Sequence, residues 1–247
     1  MAVLLLVFGL SIISMAASNP DKGYKEKLIQ HFEKKGVDIT PYFEDSRFEL
    51  ITGITQKFTR SAEVKIDSFE KYQEVLGYDA KKNKIAEFYE THKEDLAKAE
   101  KEYGIPKEVI IGILGVESEF GKYEGKYNPF NAYVSMIAED HRAKFALAQL
   151  EELIEWSEKR KVDVLALKSS YAGAMSYAQF IPWSLNRWFV GDDLYNMSNN
   201  IYSVAKYLSH FKEITGSVEE SILRYNNSGL YQQAVLGLAE EAKTVTK

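Results

Sequence analysis

The chain has 247 residues, of which 45% are hydrophobic and 27% charged, a composition typical of a globular protein with a substantial core. The formal net charge is -5 and no lysine- or arginine-rich cluster stands out, which argues against a nucleic-acid partner. The absence of cysteine excludes disulfides, thiolate metal sites and a cysteine nucleophile, and we expect no lipid anchor because that would need an N-terminal cysteine.

The first predicted element is an uncharged apolar run at residues 2–17, which is typical of the hydrophobic region of a secretory signal peptide. Ser14, Met15 and Ala16 form a small-x-small cleavage site, so we expect cutting after Ala16 or Ala17. No lysine or arginine precedes the run, and its length is near the shortest that spans a bilayer, so an uncleaved membrane anchor is the alternative. We therefore expect an exported protein of the periplasm or the cell envelope.

Almost every apolar pattern after residue 17 has the period of a helix. The capping box formed by Ser217 and Glu220 predicts the start of a short helix. No sustained two-residue alternation and no internal repeat is present. We predict an all-α protein with an N-terminal helical section at 18–100 and a core at 101–243. Helices are predicted at 24–36, 82–102, 142–159, 201–211 and 231–242, with short helices and loops at 40–80.

One helix carries the most informative residue of the chain, Glu117. Pro106 suits the first turn of this helix. Ile110, Ile113 and Leu114 lie seven, four and three positions before Glu117, so they share its face. The pattern places a carboxyl group on the stripe that should face the core, where burial and the negative end of the helix dipole both raise its pKa. A general acid that works near neutral pH needs such a pKa.

Three separated segments carry a resemblance to a known family. They are the pair Glu117–Ser118, the run Ala172–Pro182 (Ala-Gly-Ala-Met-Ser-Tyr-Ala-Gln-Phe-Ile-Pro) and the pair Tyr225–Asn226. In order and in rough spacing they resemble the active-site motifs of the bacterial lytic transglycosylases, specifically the membrane-bound lytic transglycosylase B family. Residues 24–37 and 51–103 resemble the N-terminal section of that family. The resemblance implies a lysozyme-like helical fold and a core at 101–243 that is catalytic.

The resemblance also implies a reaction with one acidic catalyst. Glu117 would donate a proton to the glycosidic oxygen between N-acetylmuramic acid and N-acetylglucosamine, and would then take the proton of the muramic 6-hydroxyl, which closes to a 1,6-anhydro sugar. Glycoside hydrolases normally use two carboxylates. Glu119 would lie on nearly the opposite face if the helix continued, and the other two motifs hold no acid. One carboxyl group suffices when the sugar supplies its own nucleophile.

Five further residues are assigned to the substrate site by the resemblance. Ser170 and Gln179 would line the groove around the muramic N-acetyl group, and Tyr177 would form part of the glycan-binding wall. Tyr225 and Asn226 would orient the catalytic acid or the sugar acetamide. For Tyr225, a core tyrosine with a satisfied hydroxyl group is the alternative. The resemblance further implies a monomer whose partner is the peptidoglycan glycan strand; proteins of cell-wall synthesis or division are candidate partners that the sequence does not identify.

We expect no cofactor and no metal. Relatives commonly carry a calcium-binding loop after the Gln-Phe-x-Pro segment, but residues 189–196 lack the alternating oxygen ligands and the terminal glutamate of such a loop. Asp192 and Asp193 are therefore interpreted as part of a turn that leads into a helix near Ser198.

Several other interpretations stay open at the level of sequence. A hydrolytic, lysozyme-type muramidase would need Asp192, Asp193 or Glu119 to activate water. A non-catalytic glycan-binding protein, or a helical protein that binds another protein and carries Glu117 on its surface, would need no acid at all. Glu119 and Glu124 are expected to be solvated residues at the edge of the apolar stripe.

Overall fold

A computed structural model describes residues 23–63 and 66–247. The predicted signal sequence at 2–17 lies outside these residues. The described part of the chain forms 13 α-helices, one 3-10 turn at Val164–Ala166 and no strand, which confirms the all-α prediction. The helices are α1 Tyr24–Glu33, α2 Thr40–Glu44, α3 Ile54–Glu63, α4 Phe69–Leu76, α5 Tyr78–Lys82, α6 Ile85–Tyr103, α7 Lys107–Ser118, α8 Pro129–Ala138, α9 Ala143–Arg160, α10 Pro182–Trp188, α11 Met197–Thr215, α12 Val218–Tyr225 and α13 Gly229–Ala242.

Most of the predicted helices are present, with shifted ends. The helix predicted at 24–36 ends at Glu33, and the one predicted at 82–102 begins only at Ile85 because α5 ends at Lys82. The Ser217 side chain accepts a hydrogen bond from the Glu220 backbone N–H at 3.0 Å, as the capping box predicts. The sequence analysis missed α8 and α10. Most residues of α8 are buried, so it shows no polar face from which a helical period could be recognised.

The centre of the molecule is α7. Every residue from Glu108 to Ser118 is buried, so the prediction of a single core-facing stripe was too narrow. Helix α13 runs antiparallel along α7, since Thr246 lies next to Glu108 and Val235 lies against Gly112. A Cβ atom on Gly112 would come within 2.4 Å of the Val235 carbonyl oxygen. The absence of a side chain at this position therefore sets how closely the two helices approach.

Helices α4, α5 and α6 pack against α13 from the N-terminal side. The Tyr78 hydroxyl group of α5 lies where a side chain on Gly237 of α13 would begin, 2.5 Å from the position of its Cβ. Lys81 of α5 lies 4.0 Å from Glu119, the residue that directly follows α7, so α5 also reaches the C-terminal end of α7, which carries Glu117. The division into sections at 18–100 and 101–243 stays a prediction. In the described residues no helix combines the length and apolar character needed to cross a membrane.

Candidate active site

Glu117 lies one residue before the end of α7, and its side chain is enclosed. The residue is 5% exposed, which confirms the predicted burial. The Tyr231 hydroxyl group, carried by α13, donates a hydrogen bond of 2.6 Å to Glu117 Oε1. Burial raises the pKa of Glu117 to about 7, although the bond from Tyr231 and the positive charge of Lys81 both oppose the rise. Near neutral pH this carboxyl group can therefore both give and take a proton.

Three tyrosine side chains interact electrostatically with the Glu117 carboxyl group. They are Tyr72 of α4, Tyr225 at the end of α12 and Tyr231 of α13. Burial, and then the charge of Glu117, raise the pKa of each phenol above its ordinary value of 10.0. All three hydroxyl groups consequently stay protonated at neutral pH and can act as hydrogen-bond donors but not as bases.

Glu119 differs from the sequence prediction. The helix does not continue through it: Glu119 caps α7 with a left-handed backbone, φ 51°. The expectation of a solvated residue was wrong, since Glu119 is only 7% exposed. Lys84 Nζ and Lys122 Nζ each lie 2.8 Å from Glu119 Oε1, and Lys81 Nζ lies 4.0 Å from Oε2. Burial alone would raise the pKa of Glu119, but the hydrogen bonds from Lys122 and Lys84 outweigh it and lower the pKa to about 2.

Glu124 is more exposed than Glu119 and so is closer to the solvated residue that the sequence analysis expected. Its side chain is 34% exposed, and Lys168 Nζ lies 2.7 Å from its Oε2 atom. The Tyr177 hydroxyl group donates a long hydrogen bond of 3.4 Å to Glu124 Oε1. Glu124 is therefore a partly solvated residue that helps to hold the ring of Tyr177 in place.

Two of the five predicted substrate residues line one cavity of about 300 Å³. Gln179 and Tyr225 belong to its wall, whereas Ser170, Tyr177 and Asn226 do not. All five are half-buried and so keep part of their surface open to a ligand. The remaining wall residues are mostly aromatic or apolar and include two arginines: Phe58, Met136, Arg142, Phe145, Ala172, Phe180, Ile181, Trp183, Ser184, Tyr207 and Arg224.

The loop that carries Gln179 has an unusual backbone. Ser176 and Gln179 adopt φ values of 67° and 51°, a left-handed conformation that is uncommon for residues other than glycine. The conformation is fixed by the Ala178 backbone N–H, which donates to Asn200 Oδ1 at 3.0 Å, and by Gln179 Nε2, which donates to the Ser176 carbonyl oxygen at 2.9 Å. Strained backbone conformations persist where surrounding contacts hold them, and they are common at functional sites. Here the strained backbone places Gln179 in the wall of the cavity.

The sequence analysis gave Tyr225 and Asn226 the task of orienting the catalytic acid or the sugar acetamide, but in the structure the hydrogen bond to Glu117 comes from Tyr231. The Tyr225 hydroxyl group donates to the Ala178 carbonyl oxygen at 2.5 Å, so it ties α12 to the Gln179 loop. Tyr231 was predicted only as the first residue of the helix at 231–242. Its position five residues after Asn226 was the one signal for a role at the site that the sequence offered.

The segment at 189–196 forms a turn that leads into α11, as predicted from Asp192 and Asp193. Asp193 Oδ1 accepts a hydrogen bond from the Tyr195 backbone N–H at 2.8 Å, and Asp192 Oδ1 lies 3.4 Å from Arg160 Nε. Across residues 23–63 and 66–247, no group of three or more histidine, aspartate or glutamate side chains is placed to hold a metal ion. That no calcium binds stays a prediction.

The enclosure of Glu117 predicts a pH-dependent effect on stability. The pKa of Glu117 is 4.5 in the unfolded chain and about 7 in the folded protein. As pH rises, the unfolded state therefore loses this proton first. Between these two pH values the free energy of unfolding falls by about 1.4 kcal/mol per pH unit, and the total loss is about 3 kcal/mol. Glu117→Gln should match the wild type in free energy of unfolding below about pH 4.5 and exceed it by about 3 kcal/mol above about pH 7. Denaturant titrations at several pH values measure this; a constant difference would contradict the raised pKa.

The described helices have the fold of the lysozyme-like lytic transglycosylases, and a buried glutamate of α7 interacts there with tyrosines carried by α4, α12 and α13. The sequence profile of the Transglycosylase SLT domain matches residues 21–217. The chain therefore belongs to the Transglycosylase SLT domain family, which confirms the resemblance found in the sequence.

Individual relatives agree with this assignment. The chain is 32% identical over 129 residues to membrane-bound lytic murein transglycosylase B of Escherichia coli (strain K12); the match covers 51% of this chain and 36%, about a third, of that protein. Soluble lytic transglycosylase SltB1 from Pseudomonas aeruginosa is similar in structure, with a TM-score of 0.80 and 25% identity over 90% of this chain and 98% of that one. SltB3 from the same organism, solved in complex with NAG-NAM-pentapeptide, shares the fold with a TM-score of 0.79 and 19% identity over 92% of this chain and 80% of that one.

Proposed function

We propose that the protein is a peptidoglycan lytic transglycosylase. It cleaves the β-1,4 bond between N-acetylmuramic acid and N-acetylglucosamine without water and leaves 1,6-anhydromuramic ends. The observation that carries the proposal is the buried carboxyl group of Glu117, with a pKa raised to about 7 and a hydrogen bond from Tyr231. The family of the chain supports it, as do the lytic transglycosylases among its relatives. The complex of SltB3 with NAG-NAM-pentapeptide supports glycan strands as the partner.

The proposed reaction has two proton transfers through one carboxyl group. Glu117 first gives its proton to the glycosidic oxygen while the bond from that oxygen to the anomeric carbon breaks, and the sugar N-acetyl oxygen stabilises the cation. The Glu117 carboxylate then accepts the proton of the muramic 6-hydroxyl as its oxygen bonds to the anomeric carbon. The carboxyl group is restored and no water is consumed. A pKa near the working pH suits both transfers.

The surroundings of Glu117 favour this reaction over hydrolysis. An inverting or retaining hydrolase needs a second carboxylate that is free to activate water or attack the sugar. Glu119 is nearest along the chain, but Lys84 and Lys122 both bind its Oε1 atom. Asp192 lies beside Arg160 and Asp193 accepts a backbone hydrogen bond in its own turn. These contacts leave Glu117 as the acid and the base of the proposed mechanism.

The proposed substrate residues keep the roles that the resemblance implies, with one change. Gln179 faces the cavity and, because it is neutral, binds an amide or hydroxyl of the sugar without lowering the pKa of Glu117. Ser170 and Asn226 bind the acetamide region, and Tyr177 forms part of the glycan wall. The residue that orients Glu117 is Tyr231 rather than Tyr225. A substrate of the cell wall also fits the proposed export of the chain to the periplasm or cell envelope.

Product analysis tests the proposal. Purified peptidoglycan sacculi are digested with the protein, and the soluble muropeptides are separated and identified by mass spectrometry. Muropeptides that end in 1,6-anhydromuramic acid are expected. Reducing muramic ends would instead identify a muramidase, and intact sacculi with bound protein would identify a non-catalytic glycan-binding protein.

Tyr231→Phe should slow the reaction without removing the acid. The variant loses a hydrogen bond to a group that becomes charged during catalysis, which is worth about 1.5–3 kcal/mol, so kcat should fall by about 10- to 100-fold. Because that bond opposes the rise in the pKa of Glu117, the alkaline limb of the pH profile should move to higher pH. The measurement is kcat/KM against pH. Tyr225→Phe is the control: its hydroxyl group bonds to Ala178, so it should leave the position of that limb unchanged.

A further inference from the structure

Lys81 is a buried cation that takes no part in the proton transfers proposed above. It is 4% exposed and belongs to α5, which packs against α13 through Tyr78 and Gly237. A buried ammonium group is costly unless an opposite charge compensates it. Its nearest carboxylate oxygen among the ion pairs of the described residues is Oε2 of Glu119, at the long distance of 4.0 Å. This pair alone is a weak compensation for a charge removed from water.

Glu119 already has better partners. Lys84 and Lys122 each lie 2.8 Å from its Oε1 atom, and both are partly exposed, with 39% and 51% of their side chains accessible. Three cations therefore surround one carboxylate. Two of them reach it at hydrogen-bond distance from the solvent side, whereas the third, Lys81, is enclosed with it. The cluster therefore holds more positive than negative charge, and Lys81 is its one buried cation. Glu119, at the centre of the cluster, lies two residues along the chain from Glu117.

The other carboxyl group whose charge acts on Lys81 is that of Glu117 when it is ionised. Glu117 and Lys81 act on each other electrostatically: the lysine lowers the pKa of the glutamate, and the glutamate raises that of the lysine. The groups that face this pair from the neighbouring helices are the phenols of Tyr72, Tyr225 and Tyr231, which are neutral at pH 7, and the cluster of Glu119, Lys84 and Lys122.

We propose that Lys81 is a positioning residue that supplies the buried positive charge against which the Glu117 carboxylate forms after its first proton transfer. The inference rests on the proposed function, because only a reaction that ionises Glu117 inside the protein needs such a charge. Lys81 touches neither sugar nor leaving group and keeps its own proton throughout. Its charge lowers the cost of the ionised state, which has to persist until the 6-hydroxyl group delivers its proton.

The pH range of this effect follows from Lys81 itself. Burial lowers the pKa of the lysine to about 8, although Glu119 and Glu117 oppose that change. Below about pH 8 the ammonium form is present and supports the Glu117 carboxylate; above it the support is lost. The two groups are therefore coupled across the range in which the enzyme is expected to work.

Titration of Glu117 by NMR tests the inference without any substrate. The protein is labelled with ¹³C at glutamate carboxyl carbons, the Glu117 signal is assigned by its absence from Glu117→Gln, and its pKa is measured in wild type and in Lys81→Met. Loss of a nearby positive charge should raise the pKa of Glu117 by about one unit. The alkaline limb of kcat/KM should move upward by the same amount. An unchanged pKa would overturn the inference.

Lys82→Met is the matched control, since Lys82 is the next residue of α5 but pairs on the surface with Glu241 at 2.6 Å. It should shift neither titration. If Lys81→Met does not fold, the coupling is measured from the other side: Glu117→Gln should lower the pKa of Lys81, followed through its ¹⁵N-labelled ammonium group, because coupling is reciprocal. An unshifted Lys81 would equally overturn the inference. Both titrations are independent of product analysis, so a failure of the proposed function is seen separately, as an absence of anhydromuropeptides.

Discussion

Glu117→Gln is expected to reduce the release of anhydromuropeptides from sacculi by at least about 100-fold and up to about 10,000-fold, the range typical of a lost general acid. The amide has nearly the same shape and can still accept the hydrogen bond from Tyr231, but it has no acidic proton to give to the glycosidic oxygen and is too weak a base to take the proton of the 6-hydroxyl. Turnover is measured by the rate of muropeptide release. Binding to sacculi should be largely retained, which a pull-down of the variant with insoluble peptidoglycan measures.

A control on the same helix separates chemistry from folding. Glu108→Gln changes a second buried glutamate of α7, whose side chain bonds to Thr246 and lies 3.1 Å from Lys107 Nζ, at the opposite end of the helix. This variant should keep most of the wild-type rate. If Glu117→Gln were as active as Glu108→Gln, the assignment of Glu117 as the acid would be wrong.

Gly112→Ala is expected to damage both stability and activity. The new methyl group would begin 2.4 Å from the Val235 carbonyl oxygen, a backbone atom that cannot rotate away, so α13 has to shift. Overpacking of this kind costs about 1–3 kcal/mol, against a gain of about 1 kcal/mol from the better helix propensity of alanine. Because α13 carries Tyr231, a shift of about 1 Å could misplace the bond to Glu117 and lower kcat by about 100-fold.

Gly229→Ala is the comparison for this variant. Gly229 is the first residue of the same helix, and a Cβ atom there would meet no other atom within 4 Å. Thermal unfolding and muropeptide release are measured for both variants. A loss is expected for Gly112→Ala alone; equal behaviour of the two variants would show that the spacing of α7 and α13 does not control the site.

Much of the fold could be predicted because the signals were local. The helical periods, the Ser217 capping box and the apolar residues before Glu117 depend on neighbours within a few positions of the chain. The burial of Glu117 followed from the same pattern. The motif around Gln179 was found by resemblance, and the structure adds the reason for its shape, a left-handed backbone held by Asn200.

The parts that could not be predicted depend on distant contacts. Tyr231 is 114 residues from Glu117 in sequence, and only the close approach of α13 to α7 brings its hydroxyl group to the carboxyl group. Lys81 comes to the same place through the packing of α5 on α13. Glu119 was wrongly expected to be solvated because its partners Lys81 and Lys84 belong to a distant part of the chain, and only the fold brings them to its carboxylate.

In the proposed reaction the sugar's own hydroxyl group, rather than water, closes on the anomeric carbon, and Glu117 gives the first proton and takes the second. Digestion of sacculi in ¹⁸O-labelled water, followed by mass spectrometry of the muramic ends, distinguishes the two nucleophiles. Closure by the 6-hydroxyl gives products that lack the mass of one water molecule and contain no ¹⁸O at the anomeric carbon. Muramic ends that carry one ¹⁸O atom would contradict it.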